Sequence, residues 1–456
     1  MKQTKYDKLT LKYENDMVEN LRKYVKIPSV YSDVTKDEQN PFGIEVTKAL
    51  NFIYELAKKD GFKATNYDNM VVEIIAGDES TKNVTIMAHA DVVPEGEGWD
   101  QDPFEAVERN GVFYGRGVAD DKGPLLSAYY GMKALRDNGM INGYHVRFLV
   151  GGNEESVSLG MIHYFHDLNK VQPDLGFSPD SAYPLTYGEK GIIGFEATSK
   201  VNLPEVYSID GGLAHNAVIE KCVVEMKKDE GFVLFLKKNK VKYELKELDD
   251  RFVVTFIGQS AHGSVPWMGV NAGLIALDML GQYFGNKELL HAYLCFSGPR
   301  GEGVRANAYS KDMFDNSLCV GFVKLHNGEL KLSINFRYVN TVTEEEMIGA
   351  FVENSKPMDI KILGTSPLLF YPLDSLLIST LMHAYQEESG DYETQPMTSG
   401  GGTYAKEADN VVAFGMQLPG WDSKMHAPGE CVERSNLVKS MAIYARAIEE
   451  LGEKLK

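Results

Sequence analysis

Short, predominantly apolar runs at Val84 to Ala88, Val146 to Val150 and Val411 to Phe414, far apart in a chain of 456 residues, constrain its architecture most. Their length suits strands buried inside a largely parallel sheet. Helical stretches lie between them, among them Leu125 to Arg136. The segment Glu45 to Asp60 reads as another helix, ended by Gly61, which suits the left-handed conformation that follows a helix. A strand signal runs from Met70 to Ile75. Near the C-terminus Leu437, Met441, Tyr444, Ile448 and Leu451 recur at steps of four and three, an apolar stripe laid against a core. The fold class is α/β: a mixed, largely parallel sheet flanked by helices.

Between about Gly191 and Tyr371 the grammar changes to strand-rich stretches with helical signals at Asn271 to Tyr283 and Thr343 to Val352. In LCVGFVKLHNGELKLSINFRYV, Asn327-Gly328 is a hairpin turn between alternating strands. The expected organisation is a catalytic domain over residues 1–190 and 372–456, with an inserted α+β lid domain over residues 191–371. The insertion is expected to contain two related α/β halves.

Asp and Glu total 65 against 47 Lys and Arg, a formal charge of -18. That balance argues against nucleic acid or an anionic membrane as the main partner. Met1 to Lys26 is strewn with charges and lacks the apolar core of a signal peptide, and no later run is long enough to span a bilayer. The cytoplasm is the expected compartment. Cys222, Cys295, Cys319 and Cys431 are scattered and form no C-x-x-C pair, so they are read as buried, inert thiols.

Chemistry is concentrated where strands give way to loops. His89 and Asp91, two apart on an extended backbone, point the same way; they are either a metal ligand with its orienting acid or a capped strand-end histidine. Asp120 and Asp121 lie between glycines just before a helix, and adjacent carboxylates need a cation or hydrogen-bond donors to coexist. The other reading is a pair of acids at a helix N-terminus. Glu154 and Glu155 follow a strand that ends in Gly-Gly, as active-site acids of α/β sheets do, or they form a solvated acidic loop. Asp180 leaves another strand in LGFSPDSAYP, and His426 lies in WDSKMHAPGE. Together these segments offer the imidazole and carboxylate ligands that zinc and manganese accept. The Gly-rich stretch Gly400 to Lys406 lacks the context of a phosphate loop.

His89-Ala90-Asp91-Val92-Val93-Pro94, Gly115-Arg116-Gly117 through Asp120-Asp121-Lys122-Gly123, Gly151-Gly152-Asn153-Glu154-Glu155 and His426-Ala427-Pro428-Gly429-Glu430 keep one order along nearly the whole chain. Jointly they resemble the aminoacylase, carnosinase and glutamate-carboxypeptidase family of co-catalytic di-metal peptidases. GRGVADDKGP, Gly188-Glu189-Lys190-Gly191, SAHGS at Ser260 to Ser264 and GGGTYAK are similar to the bacterial PepV-type dipeptidases. The resemblance implies a di-zinc peptidase fold and two divalent cations, zinc or manganese with cobalt also accepted. Asp120 would bridge them, His89 and Asp180 completing one site and Glu155 and His426 the other, with a cis peptide at Asp120-Asp121.

The same resemblance makes Asp91 the orienting acid of His89 and Glu154 the general acid-base acting on a shared hydroxide. His262 and Asn216 would face the oxyanion. Arg337 would grip a substrate carboxylate, assisted by Gly401, Gly402 and Thr403. Hinges are expected near Gly191 and Tyr371. The implied activity is hydrolysis of dipeptides, β-alanyl or Xaa-His types or α-dipeptides broadly, by a monomer. An N-acyl amino acid deacylase of the acetylornithine or succinyl-diaminopimelate type, and a non-catalytic peptide- or metal-binding protein, are the competing readings.

Overall fold

The computed structural model describes residues 3–456. Met1 and Lys2, the start of the charged N-terminal stretch, lie outside the described residues. Two compact units are present: Met1–Gly188, Leu369–Thr398 and Gly402–Lys456 form the first, and Glu189–Leu368 with Ser399–Gly401 the second. Each has its own apolar core, and the two cores share no residue.

A mixed sheet runs through the first unit in the order Lys63–Tyr67, Val71–Gly77, His145–Gly151, Asn83–His89, Leu175–Ser178, Val411–Ala413, Thr186–Glu189, Leu369–Phe370, with Met397–Ser399 also paired to Thr186–Glu189. The four strands from His145–Gly151 to Val411–Ala413 pair in parallel. Antiparallel pairing carries the sheet outward from both sides of this centre. The parallel strands are buried along their whole length, which explains why they read as apolar runs instead of alternating ones.

Helices Ile44–Lys59, Lys122–Asp137 and Arg434–Leu455 pack against this sheet, and the last two also pack against each other. The C-terminal stripe Leu437, Met441, Tyr444, Ile448 and Leu451 is buried, as its spacing requires. Helices Lys122–Asp137 and Arg434–Leu455 approach closely at Gly131, where a Cβ would stand 2.9 Å from the Met441 carbonyl oxygen. Ser127 Oγ donates to the Leu437 carbonyl at 3.1 Å across the same contact.

The second unit is built on one continuous sheet of eight strands, ordered Tyr243–Glu247, Arg251–Ile257, Lys221–Lys227, Val206–Gly211, Ser317–His326, Glu329–Tyr338, Gly191–Lys200, Asp359–Ser366. Every pairing in it is antiparallel. Burial alternates along Arg251–Ile257 and Gly191–Lys200, so one face packs on a core and the other is partly open. Four of its helices are Glu230–Lys238, Ala272–Phe284, Lys287–Phe296 and Glu344–Asn354. Asn327 and Gly328, at φ of 50° and 71°, form the two-residue turn that pairs His326 with Glu329. The pairing of Val206–Gly211 with Ser317–His326 makes the sheet continuous.

Among the described residues no helix is long and apolar enough to cross a membrane. All four cysteines are buried free thiols.

The close helix approach gives a direct test. Gly131→Val forces a side chain against main chain and should destabilise the first unit by about 1–3 kcal/mol, the usual range for overpacking. A thermal melt would show a lowered Tm, and an unchanged Tm would contradict the contact.

Candidate metal centre

The parallel strands deliver their chemistry at their carboxyl ends, where α/β sheets hold ligands. His89 is the last residue of Asn83–His89 and stands in register with Gly151, the last of His145–Gly151. Glu154 and Glu155 follow directly. Continuing the register of Leu175–Ser178 against Asn83–His89 brings Asp180 level with His89. Asp120 comes from the loop before helix Lys122–Asp137, and His426 from the loop before Cys431–Glu433. Gly123 lets that helix start tightly, since a Cβ there would stand 2.1 Å from the Val118 carbonyl oxygen.

Asp120 is the shared centre. Its Oδ1 lies 3.0 Å from His89 Nε2 and its Oδ2 lies 2.9 Å from His426 Nε2. Asp180 Oδ2 is 3.7 Å from His89 Nε2, and Glu155 Oε2 is 3.2 Å from His426 Nε2. Two ligand triads result, His89, Asp120, Asp180 and Asp120, Glu155, His426, with ligand atoms in each within 4.8 Å of one another. The five residues expected to bind metal are therefore brought together. The donor set suits divalent cations, and Glu155 Oε1 is buried with no hydrogen-bond partner among the described residues, an acceptor left for a cation.

The charges of this cluster are strongly coupled. Burial would raise Asp120, but hydrogen bonds from His426 and His89 outweigh it and hold the carboxylate well below its usual range. Burial likewise opposes the imidazolium of His89, yet hydrogen bonds with Asp120 and Asp91 and the surrounding acids push it well above the usual value. His426 rises to about 11 through hydrogen bonds with Asp120 and Glu155. Glu154 moves opposite to Asp120: burial, then the charges of Asp180, Glu155 and Asp91, raise its carboxyl well above the normal range against the pull of His89. Without a cation, protons do the work of charge compensation here.

Main-chain donors and buried partners hold the ligands. Asp91 does more than orient His89. Its Oδ1 and Oδ2 accept the Glu154 and Glu155 N–H groups, both at 3.1 Å. His89 Nδ1 meets the Asp91 main-chain oxygen at 3.0 Å, while the nearest Asp91 carboxylate oxygen is 3.5 Å away. The orienting contact expected from the carboxylate is therefore made chiefly by its main chain. Asp121 sits at the helix N-cap position but makes no cap with its side chain; its Oδ2 accepts the His89 N–H at 3.0 Å. The Asp120-Asp121 peptide is cis. Lys122 is buried, its ammonium donating to the Ile27 carbonyl at 2.6 Å, and burial lowers it to about 7.

Two supporting residues carried no assigned role in the sequence. Glu430 Oε1 accepts the N–H groups of Gly117, Ala119 and Asp120 at 3.0, 2.9 and 3.2 Å, while Oε2 takes Arg116 Nη1 at 2.7 Å. Its position four residues after His426 is the available sequence signal. Tyr404 is fully buried, its ring edge-on to His89 at 6.2 Å and its hydroxyl donating to the Gly152 carbonyl at 2.9 Å. It follows the Gly-rich stretch directly, and an aromatic core residue would read the same way.

The second unit gathers its own set. Ala217 and His262 form an isolated bridge, and the Gly263 N–H donates to the Asn216 carbonyl at 2.7 Å, so the segments of Asn216 and His262 are adjacent. His262 is exposed, and its Nδ1 lies 2.7 Å from Ser264 Oγ. Arg337 is buried; its Nε donates to Asn335 Oδ1 at 2.9 Å and its Nη1 to the Gly400 carbonyl. The Gly401 N–H donates to Ser399 Oγ at 2.9 Å. Gly402 and Thr403 belong to the first unit, where Thr403 Oγ1 caps the short helix Tyr404–Glu407 through the Ala405 N–H. Gly400, absent from the expected set, is the residue that meets the arginine.

A parallel-centred α/β sheet with two ligand triads at its carboxyl edge defines a candidate dinuclear hydrolase. A model of peptidase family M20/M25/M40 matches residues 85–450. A protein of Staphylococcus epidermidis (strain ATCC 12228 / FDA PCI 1200) named "Putative dipeptidase" is 31% identical over 461 residues, spanning 96% of this chain and 97% of its own. The di-peptidase Dug1p of Saccharomyces cerevisiae has a similar structure, with a TM-score of 0.60, 18% identity and 98% of each chain covered. Human carnosine dipeptidase 1 gives a TM-score of 0.58 at 13% identity, covering 98% of this chain and 99% of its own. The chain belongs to peptidase family M20/M25/M40, in agreement with the motif order.

Glu430→Gln replaces one acceptor oxygen by an amide donor facing the same N–H groups and Arg116. Cation affinity should fall by about 10-fold to 100-fold, the usual cost of losing a residue that supports metal ligands. Competition with a chromogenic chelator measures it, and unaltered affinity would show that Glu430 does not position Asp120.

Proposed function

We propose that this protein is a metal-dependent dipeptidase whose first unit holds two divalent cations, zinc or manganese, with cobalt also accepted. The observation that carries this reading is the pair of ligand triads sharing Asp120, with the high-pKa carboxyl of Glu154 beside them. His89, Asp120 and Asp180 would hold one cation and Asp120, Glu155 and His426 the other. Such a pair, when bound, acidifies water toward a pKa of about 7 and polarises the scissile carbonyl. The relatives named as dipeptidases support the substrate class.

Glu154 is the proton carrier in this reading. Its carboxylate takes a proton from the attacking water and, once protonated, gives it to the leaving amine. The acids around it make it a strong enough base to accept the proton, and bound cations would bring its pKa down from its metal-free value. Asp91 holds Glu154 and Glu155 in place through their main-chain N–H groups. On the second unit, the family resemblance gives His262 the role of donating to the developing oxyanion and Arg337 that of binding the substrate carboxylate. Asn216 lies beside His262 and supplies a further polar group to the oxyanion.

Two measurements test this. Glu154→Gln should keep its fold and both cations, by metal analysis, while kcat falls by about 100-fold to 10,000-fold, the range for losing a general acid-base; near-normal turnover refutes the role. Metal-stripped protein resupplied with zinc, manganese or cobalt should cleave α- or β-alanyl dipeptides in preference to N-acyl amino acids. Preference for the acyl substrates would instead mark a deacylase, and dipeptide binding without cleavage a binding protein.

A further inference from the structure

Lys122 and Ser29 are fully buried in the first unit, and no step proposed above uses either. Lys122 follows the Asp120-Asp121 pair, yet its side chain reaches the end of helix Glu14–Val25 instead of a ligand. Its Nζ donates to the Tyr24 and Ile27 carbonyls at 3.3 and 2.6 Å. Carbonyls at a helix C-terminus lack partners within the helix, so a basic donor suits them. That alone would make Lys122 a helix-end contact. The Ile27 carbonyl also accepts the Ser29 N–H at 2.9 Å, however, and Ser29 carries the connection further.

Ser29 grips the loop after Asn83–His89 on both sides of Asp91. Its Oγ donates to the Ala90 carbonyl at 2.7 Å, and its own carbonyl accepts the Val92 N–H at 3.1 Å. Asp91 in turn accepts the Glu154 and Glu155 N–H groups, and its main-chain oxygen meets His89 Nδ1. A path of hydrogen bonds and short backbone steps therefore runs from Lys122 through Ile27 and Ser29 to Asp91. One end lies two residues from Asp120, and the other holds Glu154 and Glu155. The fit is close: a Cβ on Gly117 would stand 3.0 Å from Val92 Cγ1 and 3.1 Å from Lys122 Cδ, so both side chains pack on the backbone that leads to Asp120. Ile27, Pro28 and Ser29 precede residues 85–450, the part of the chain that matches the family.

We propose that Lys122 and Ser29 are positioning residues that, with the Ile27–Ser29 backbone, form a strut setting the separation between Asp120 and the Glu154-Glu155 turn. Asp120 and Glu155 belong to one ligand triad, so this separation decides whether a single cation meets both. It also places the Glu154 carboxyl relative to the pair of triads. Functional constellations tolerate displacements of only about 0.5 Å, which is why a support two hydrogen bonds removed from the ligands matters. The task given to the strut rests on the two-cation dipeptidase reading.

Lys122→Met and Ser29→Ala remove the side-chain donors at the two ends, and a double variant removes both. Each is loaded with cobalt, whose visible absorption follows ligand geometry, beside the parent protein. In either single variant cobalt affinity, by chelator competition, should fall by about 10-fold to 100-fold, the usual loss when a residue supporting metal ligands is removed. The visible spectrum should change, and kcat for a dipeptide at saturating cobalt should fall while KM holds. The double variant should lose little more than the worse single one, because residues acting through one strut are not additive. Where Lys122→Met does not fold, Ser29→Ala decides the matter by affinity and spectrum. A lowered Tm with parental cobalt affinity and spectrum overturns the strut, and so do losses that add in full in the double variant. A parent protein that binds two cobalt ions but cleaves no dipeptide overturns the dipeptidase reading instead, and the affinities and spectra still decide the strut.

Discussion

Carboxylates crowded onto one edge of a sheet repel one another, and the first unit is organised around that repulsion. Asp91, Asp120, Asp121, Glu154, Glu155 and Asp180 all lie there, and each of the first three is compensated by a specific donor. Asp120 is flanked by two imidazoles, Asp121 takes the His89 N–H, and Asp91 takes the N–H groups of Glu154 and Glu155. Those donors are mostly main chain, so the negative groups keep their positions whether the remaining charge is met by protons or by cations. Glu154 and Glu155, whose proton affinity is raised, are residues for which the proposed chemistry needs a proton carrier and a cation ligand.

The same logic runs outward through Glu430. A single segment from His426 to Glu430 meets Asp120 twice, once by imidazole at its carboxylate and once by carboxylate at its N–H. Burial and the Asp120 charge push Glu430 up to about 7 even though Ala119, Gly117 and Arg116 favour its ionised form. The GRG and HAPGE motifs are therefore two halves of one construction, in which the buried Arg116 balances the acid that shapes the Asp120 loop.

Much of this was legible in the chain because short-range chemistry dictated it. The runs around Val84, Val146 and Val411 read as buried strands since strands inside a parallel sheet have no wet face. The Asn327-Gly328 turn was equally plain, because few residues tolerate two successive left-handed positions. Less legible was the partner of a given acid. Asp91 could be placed beside His89 from spacing, but its hold on Glu154 and Glu155, more than sixty residues away, depends on how parallel strands stack. Tyr404 reads as a core aromatic, and only its edge contact with His89 links it to the ligands. Gly400 gave no hint that its carbonyl would meet Arg337.

The sequence by itself determined the kind of elements, the identity of the ligand-bearing loops and the family, because periodicity, turn residues and motif order are properties of neighbouring positions. Tertiary structure alone decided that Asp120 is shared between two triads and that Glu430 grips its loop. Those facts depend on strand order and register, which are set by contacts between distant segments and written in no single stretch of chain.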